Sequence, residues 1–125
     1  MTNQVTSIEQ SNRLIELGIP KEKASLVWTT VDDNKTVVER DLCLPENIEG
    51  YAFTVADLMA MLPLTINEQG YVCEFSLKRM GDLYGVEYDC YSANFCVSFL
   101  FCNTAIDALE YAVDRLVKNG CQLNL

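Results

Sequence analysis

The sequence predicts an α+β fold: a largely antiparallel sheet of about five strands with three helices, the C-terminal helix packed on one sheet face. Three observations carry that expectation. Tyr84, Val86, Tyr88 and Cys90 alternate with Gly85, Glu87, Asp89 and Tyr91, which is the two-residue period of a strand. Phe95, Val97, Phe99 and Phe101 alternate in the same way with Cys96, Ser98, Leu100 and Cys102. Thr104 then opens a helix whose Ile106, Leu109, Ala112, Val113, Leu116 and Val117 fall on one side. An aromatic hairpin face and an apolar helix stripe bury each other when the helix lies across the hairpin.

The elements follow in order. Ser7 with Gln10 is a capping-box pair, in which hydroxyl and amide satisfy backbone donors at a helix start. That helix carries Ile8, Leu14, Ile15 and Leu17 and ends at Gly18, which suits the left-handed position after a helix. Ile19 reaches back towards Leu14 and Pro20 prevents continuation. A short helical turn over residues 20–24 gives way to Val27, Trp28, Thr29, Thr30 and Val31, which favour strands. Asp32-Asp33-Asn34-Lys35 is expected as a turn and residues 36–40 as the returning strand, with Trp28 in the core. Residues 41–51 contain Pro45, Asn47 and Gly50 and read as a loop. Thr54 and Asp57 cap the next helix, Phe53 staples onto Leu58, and Val55, Leu58, Met59 and Leu62 form its buried stripe before Pro63. Residues 64–70 read as a connection. Tyr71, Cys73, Phe75 and Leu77 alternate with Val72, Glu74, Ser76 and Lys78 as a further strand, turning at Met80-Gly81-Asp82-Leu83. Thr104 and Asp107 repeat the Thr54–Asp57 device, and Asn119-Gly120 ends the last helix.

Length and composition bound the rest. At 125 residues the chain is expected to be a single domain able to bury a core without disulfide or metal staples. Its net charge of −9 repels phosphate backbones and anionic lipid, so direct nucleic-acid or membrane binding is not expected, whereas a basic protein partner is compatible. There is no histidine, which excludes His-dependent serine and cysteine hydrolases and His-ligated zinc enzymes. Met1-Thr2-Asn3-Gln4-Val5-Thr6 is polar and has no basic segment leading into an apolar run, so no signal peptide is expected and the expected compartment is the cytoplasm. The longest apolar run, near residues 95–102, suits a buried strand. Cysteines at 43, 73, 90, 96, 102 and 121 contain no Cys-x-x-Cys, and the spacing of Cys90, Cys96 and Cys102 fits no common zinc pattern. They are expected as free, structural thiols. No phosphate-binding glycine loop, nucleophile elbow or EF-hand pattern occurs, so no catalytic residue and no cofactor are expected.

Alternation also sets a register. Leu77 should neighbour Val86, Phe75 Tyr88, and Cys90 Phe95; Tyr88 then faces Val97, Val86 faces Phe99 and Tyr84 faces Phe101. The same register puts Glu74 opposite Asp89 on the outer face, with Glu87 two residues along. Like charges placed opposite each other are destabilising, which makes Glu74, Glu87 and Asp89 the candidate cation ligands or carboxylate pair. Charged outer faces are commonly just solvated, and a one-residue slip dissolves the pairing. Cys96, Leu100 and Cys102 make the outer face of the last strand partly apolar and are the interface candidates. Cover from within the chain is favoured there, since the first hairpin still needs a place in a sheet.

Ser7-Ile8-Glu9-Gln10-Ser11 running to Leu17-Gly18-Ile19, the Trp28 strand, Tyr51-Ala52-Phe53-Thr54-Val55-Ala56-Asp57-Leu58 ending at Leu62-Pro63, and Thr104-Ala105-Ile106-Asp107-Ala108-Leu109 ending at Asn119-Gly120 together resemble small uncharacterised proteins of gut-bacterial genomes and their prophages. The resemblance implies an accessory protein of a mobile element and brings no catalytic residue. The expected function is therefore a non-enzymatic protein-interaction role, with another protein or a second copy as partner. The rivals are a DNA-mimicking inhibitor of a nucleic-acid-binding protein, suggested by the acidic charge, and a small metal-dependent enzyme built on the three carboxylates.

Overall fold

The computed structural model describes residues 4–125; residues 1–3, the start of the polar N-terminal stretch, lie outside the described residues. The fold is α+β, with helices α1 (Ile8–Glu16), α2 (Val55–Met61) and α3 (Ala105–Lys118). Two antiparallel sheets accompany them. Strands β1 (Leu26–Val31), β2 (Asn34–Glu39) and β3 (Gly50–Ala52) form the first in the order β2-β1-β3. Strands β4 (Thr65–Glu68), β5 (Tyr71–Met80), β6 (Leu83–Cys90) and β7 (Phe95–Ser98) form the second in that order.

Among the described residues, seven strands in two sheets replace the expected sheet of about five. The additional strands are β3 and β4, which lie in the segments read as loop and connection. Both are short, and neither repeats an apolar pattern long enough to declare itself. The first hairpin also turns more tightly than expected: Asp32 and Asp33 both take positive φ (50° and 64°), so the turn is a two-residue one and Asn34 already pairs with Val31.

The helix ends follow their local sequence. Ser7 Oγ accepts from Gln10 N (3.1 Å) while Gln10 Oε1 accepts from Ser7 N (3.0 Å), completing the box. Thr54 and Asp57 do the same for α2. A side-chain cap of this kind contributes about 1 kcal/mol. At the end of α1, Ile19 N donates to Leu14 O and Gly18 N to Ile15 O, with Gly18 at φ 102°. The end of α3 repeats this arrangement, Cys121 N donating to Leu116 O and Gly120 N to Val117 O. At the start of α3 the box is only half built. Thr104 Oγ1 accepts from Asp107 N, but the Asp107 carboxylate accepts from Gln10 Nε2 (2.8 Å) instead of from its own cap. One Gln10 amide thus closes the α1 cap and ties α1 to α3.

The central core lies between α2, α3 and the inner face of the second sheet. Leu58, Met61, Leu62, Val86, Tyr88, Cys90, Ile106, Leu109, Ala112, Val113 and Leu116 are all buried in it. The β5–β6 register is as read, with Leu77 on Val86 and Phe75 on Tyr88, and so are the Tyr88–Val97 and Cys90–Phe95 pairs. Tyr88 stacks edge-on with Phe75 (5.7 Å) and Phe99 (6.4 Å), and its hydroxyl donates to Pro63 O (2.8 Å). Burial pushes this phenol's pKa well up. In α2 the buried methionine is Met61; Met59, expected in the stripe, is 39% exposed. Helical periodicity accounts for this: Met61 stands three residues after Leu58 and next to Leu62 on their buried face, whereas Met59, one residue after Leu58, is turned off it.

One register expectation fails. Val86 O still accepts from Phe99 N, but Tyr84 pairs with Cys102 and not with Phe101. Three steps on one strand match two on the other, a bulge that carries Phe101 to the outer face. Its ring lies over Gly85, where a Cβ would collide with it.

The first sheet meets the rest through the N-terminal segment. Thr6 is fully buried; its N donates to Phe53 O (2.9 Å) and its hydroxyl bonds Ser11 Oγ (2.6 Å) and accepts from Phe53 N (2.8 Å). Thr6 O accepts from the indole Nε1 of Trp28 (3.0 Å), which leaves Trp28 half-buried at this junction instead of deep in the core. The Ile8 side chain presses on Gly50, where an added Cβ would approach to 2.8 Å.

Thr6→Val keeps the side-chain shape but leaves the Phe53 N–H and the Ser11 hydroxyl without their partner. A loss of about 2–3 kcal/mol is expected in urea unfolding. Adding Ser11→Ala removes one of the two orphaned groups and should return part of that loss.

Candidate functional site

The outer face of the second sheet collects the polar residues that alternation separates from the core: Glu74, Ser76 and Lys78 on β5, Glu87 and Asp89 on β6, and Cys96 and Ser98 on β7. The register places Glu74 opposite Asp89, Ser76 opposite Glu87, and Cys96 opposite Asp89 on the other side. The expected apposition of Glu74 and Asp89 is therefore present.

The centre of the cluster differs from the expected one. Lys78 Nζ lies 2.5 Å from Glu87 Oε1 and 3.2 Å from Asp89 Oδ1, and Ser76 Oγ donates to Asp89 Oδ2 (2.9 Å). The Glu87 and Asp89 side chains are 13% and 10% exposed, against 45% for Lys78. Both carboxylates are thus held in a poorly solvated place by one ammonium and a hydroxyl. The hydrogen bonds to Glu87 and then Asp89 push the Lys78 pKa far above its ordinary value, so it is a fixed cation and neither a general base nor a nucleophile at neutral pH. Glu74 stays exposed and joins no ion pair of the described residues.

A group with metal-ligand geometry does occur, but its members are Glu87, Asp89 and Cys96, whose ligand atoms lie within 4.8 Å of one another. Cys96 takes the place expected of Glu74. Lys78 already supplies the cation there. Both residues were readable: Cys90 beside Phe95 implies Asp89 beside Cys96, and Lys78 follows Ser76 on the same face. A search for carboxylates alone passes them over.

The interface candidates do not share one face. Cys96 is exposed and Leu100 is 61% exposed. Cys102 is half-buried, and the bulge turns it to the side of Tyr84 and α3, where burial raises its thiol pKa, followed by the charges of Asp107 and Glu110. The expected cover from the first hairpin does not form: the hairpin builds its own sheet with β3, and among the described residues no helix or strand lies as a layer over the outer face of the second sheet. Val72, Met80 and Leu83 stand exposed on that face, by 59%, 68% and 39%.

Among the described residues no helix is long and apolar enough to cross a membrane. Comparison with protein-family models, with curated proteins and with solved structures returned no match.

Replacing Lys78 by Met leaves Glu87 and Asp89 facing each other without a counter-charge, so the urea midpoint should fall at pH 7. Glu87→Gln in the same chain should restore most of it. The folded-state pKa of Lys78 is raised, so its contribution is complete below the unfolded value near 10.5 and is lost only as pH climbs through the folded value. The deficit of Lys78→Met should accordingly persist to pH 10 and close only in stronger alkali. Denaturation series at pH 7, 9 and 10 check the sign.

Proposed function

We propose that this protein is a non-enzymatic, cytoplasmic interaction protein of a bacterial mobile element, contacting another protein or a second copy through the outer face of the second sheet. The observation that supports the reading is the uncovered face itself. Exposed Val72, Met80 and Leu83 flank a polar centre in which one cation, Lys78, pairs with both Glu87 and Asp89 and leaves a net negative charge. A face of this composition offers apolar contact at its margins and a net negative centre that suits a basic group on a partner. The mobile-element assignment rests on the sequence resemblance alone.

The two rivals find less support. A DNA mimic needs rows of free carboxylates; Glu49, Glu87, Asp89, Glu110 and Asp114 each pair with a lysine or arginine and are not available to such a row. A metal-dependent enzyme on Glu74, Glu87 and Asp89 would first have to displace the Lys78 ammonium.

Val72→Asp and Met80→Asp change only exposed side chains, so both variants should keep the wild-type circular dichroism and urea midpoint. Both should lose the complex that the wild type forms, whether seen as a dimer by light scattering or as a partner retained from a bacterial lysate. A wild type that stays monomeric and retains nothing, or variants that bind as it does, would sink the proposal.

A further inference from the structure

The inner face of the second sheet brings together two thiols. Cys73 lies near the start of β5 and Cys90 is the last residue of β6; one step beyond the Glu74–Asp89 pair, the antiparallel register sets them side by side. Their pair is of the kind without mutual backbone hydrogen bonds. Phe75, two residues after Cys73, directs its N–H away from β6 to Leu64 O (2.9 Å). On β6, Tyr84 and Val86, of the same parity as Cys90, bond to Cys102 and Phe99 on the β7 side. In such a pair the Cα atoms sit about 4.5 Å apart and the side chains are at their closest. That spacing falls inside the roughly 4.4–6.8 Å that a disulfide bridges.

Both thiols are buried, at 0% and 1% exposure, but their surroundings differ. The Cys90 sulfur lies 3.5 Å from the Ser92 hydroxyl, at the turn joining β6 to β7. That hydroxyl, and after it the Ala93 backbone, hold the Cys90 thiol below its ordinary pKa, whereas burial and then the neighbouring Cys90 push Cys73 up. A shallow cavity of about 290 Å³ opens at this end of β6, lined by Cys90 together with Asp89, Tyr91, Asn94, Phe95 and Cys96. Cys96 shares that cavity, but strand alternation puts its side chain on the outer face of the sheet, away from Cys73.

We propose that Cys73 and Cys90 form a reversible oxidation site, which a hydroperoxide closes into a cross-strand disulfide, with Cys90 the attacking sulfur and Cys73 the resolving one. The Cys90 thiolate attacks a peroxide oxygen, the O–O bond breaks, and Cys90 becomes a sulfenic acid while hydroxide leaves. The Cys73 sulfur then attacks the Cys90 sulfur; the S–O bond breaks, the S–S bond forms, and the oxygen departs as water carrying the Cys73 proton. With hydrogen peroxide, two thiols lose two electrons and the oxidant becomes two waters. A dithiol reverses the bond by exchange. The disulfide would tie the ends of β5 and β6 beside the 91–94 turn and take Cys90 from Ser92.

The test uses the full chain, reduced and then freed of reductant. Hydrogen peroxide is titrated until the exposed Cys96 is oxidised, the protein is denatured, the remaining thiols are alkylated, and chymotryptic peptides are sequenced by mass spectrometry. Tyr71 and Phe75 bracket Cys73, and Tyr88 and Tyr91 bracket Cys90, so the digest separates both from the other cysteines. The expected product is a linked Cys73–Cys90 peptide pair that dithiothreitol abolishes. In Cys73→Ser, dimedone should label Cys90; in Cys90→Ser, Cys73 should stay unlabelled. The wild-type digest decides even if a variant misfolds. Full alkylation of Cys73 and Cys90 after Cys96 has oxidised, or a bridge from either to another cysteine, would overturn the proposal.

Discussion

The arrangement of the whole molecule depends on the buried hydroxyl and backbone of Thr6. Four groups meet there: the Phe53 amide and carbonyl, the Ser11 hydroxyl and the Trp28 indole. They belong to the β3–α2 junction, to α1 and to β1. Buried polar groups are costly unless each finds a partner, and here each does, so the segments can come together in only one way. Among the described residues no buried side-chain nitrogen or oxygen lacks a partner. From this junction the order propagates outward. Ile8 packs on Gly50 and fixes α1 against the first sheet, Gln10 and Arg13 bind Asp107 and Glu110 and fix α1 against α3, and α3 covers the second sheet.

The second sheet shows two solutions to crowding. On its inner face large aromatic rings meet edge-on around Tyr88, a geometry worth about 0.5–1.5 kcal/mol per pair beyond area burial. On its outer face adjacent carboxylates would repel, and Lys78 removes the conflict by lying between them. Its weight is greater than that of an ordinary surface lysine because Glu87 and Asp89 are largely withdrawn from water. What first suggests a metal site is therefore a network in which Lys78 already occupies the place between the carboxylates. The bulge near Phe101 is the third adjustment: Gly85 leaves room for a ring, and the ring shifts the strand by one residue.

Sequence alone determined the features whose causes are local. The caps at Ser7 and Thr54, the left-handed stops at Gly18 and Gly120, the stripe of α3 and the register from Leu77–Val86 to Cys90–Phe95 are all set by residues close in the chain or by strict two-residue alternation. The apposition of Glu74 and Asp89 came with that register. Tertiary structure decided the rest. β3 and β4 exist because a long neighbouring strand was available to pair with each, and their own residues carry little strand signal. Asp107 left its cap for Gln10, 97 residues away. Lys78 settled on Glu87 and Asp89 because a flexible four-carbon stem takes the best counter-charge within reach, a choice made across strands in three dimensions. Local sequence fixes where elements begin, end and point; which surfaces meet, and which charges cancel, follows only from the long-range packing that brings them within a few ångströms.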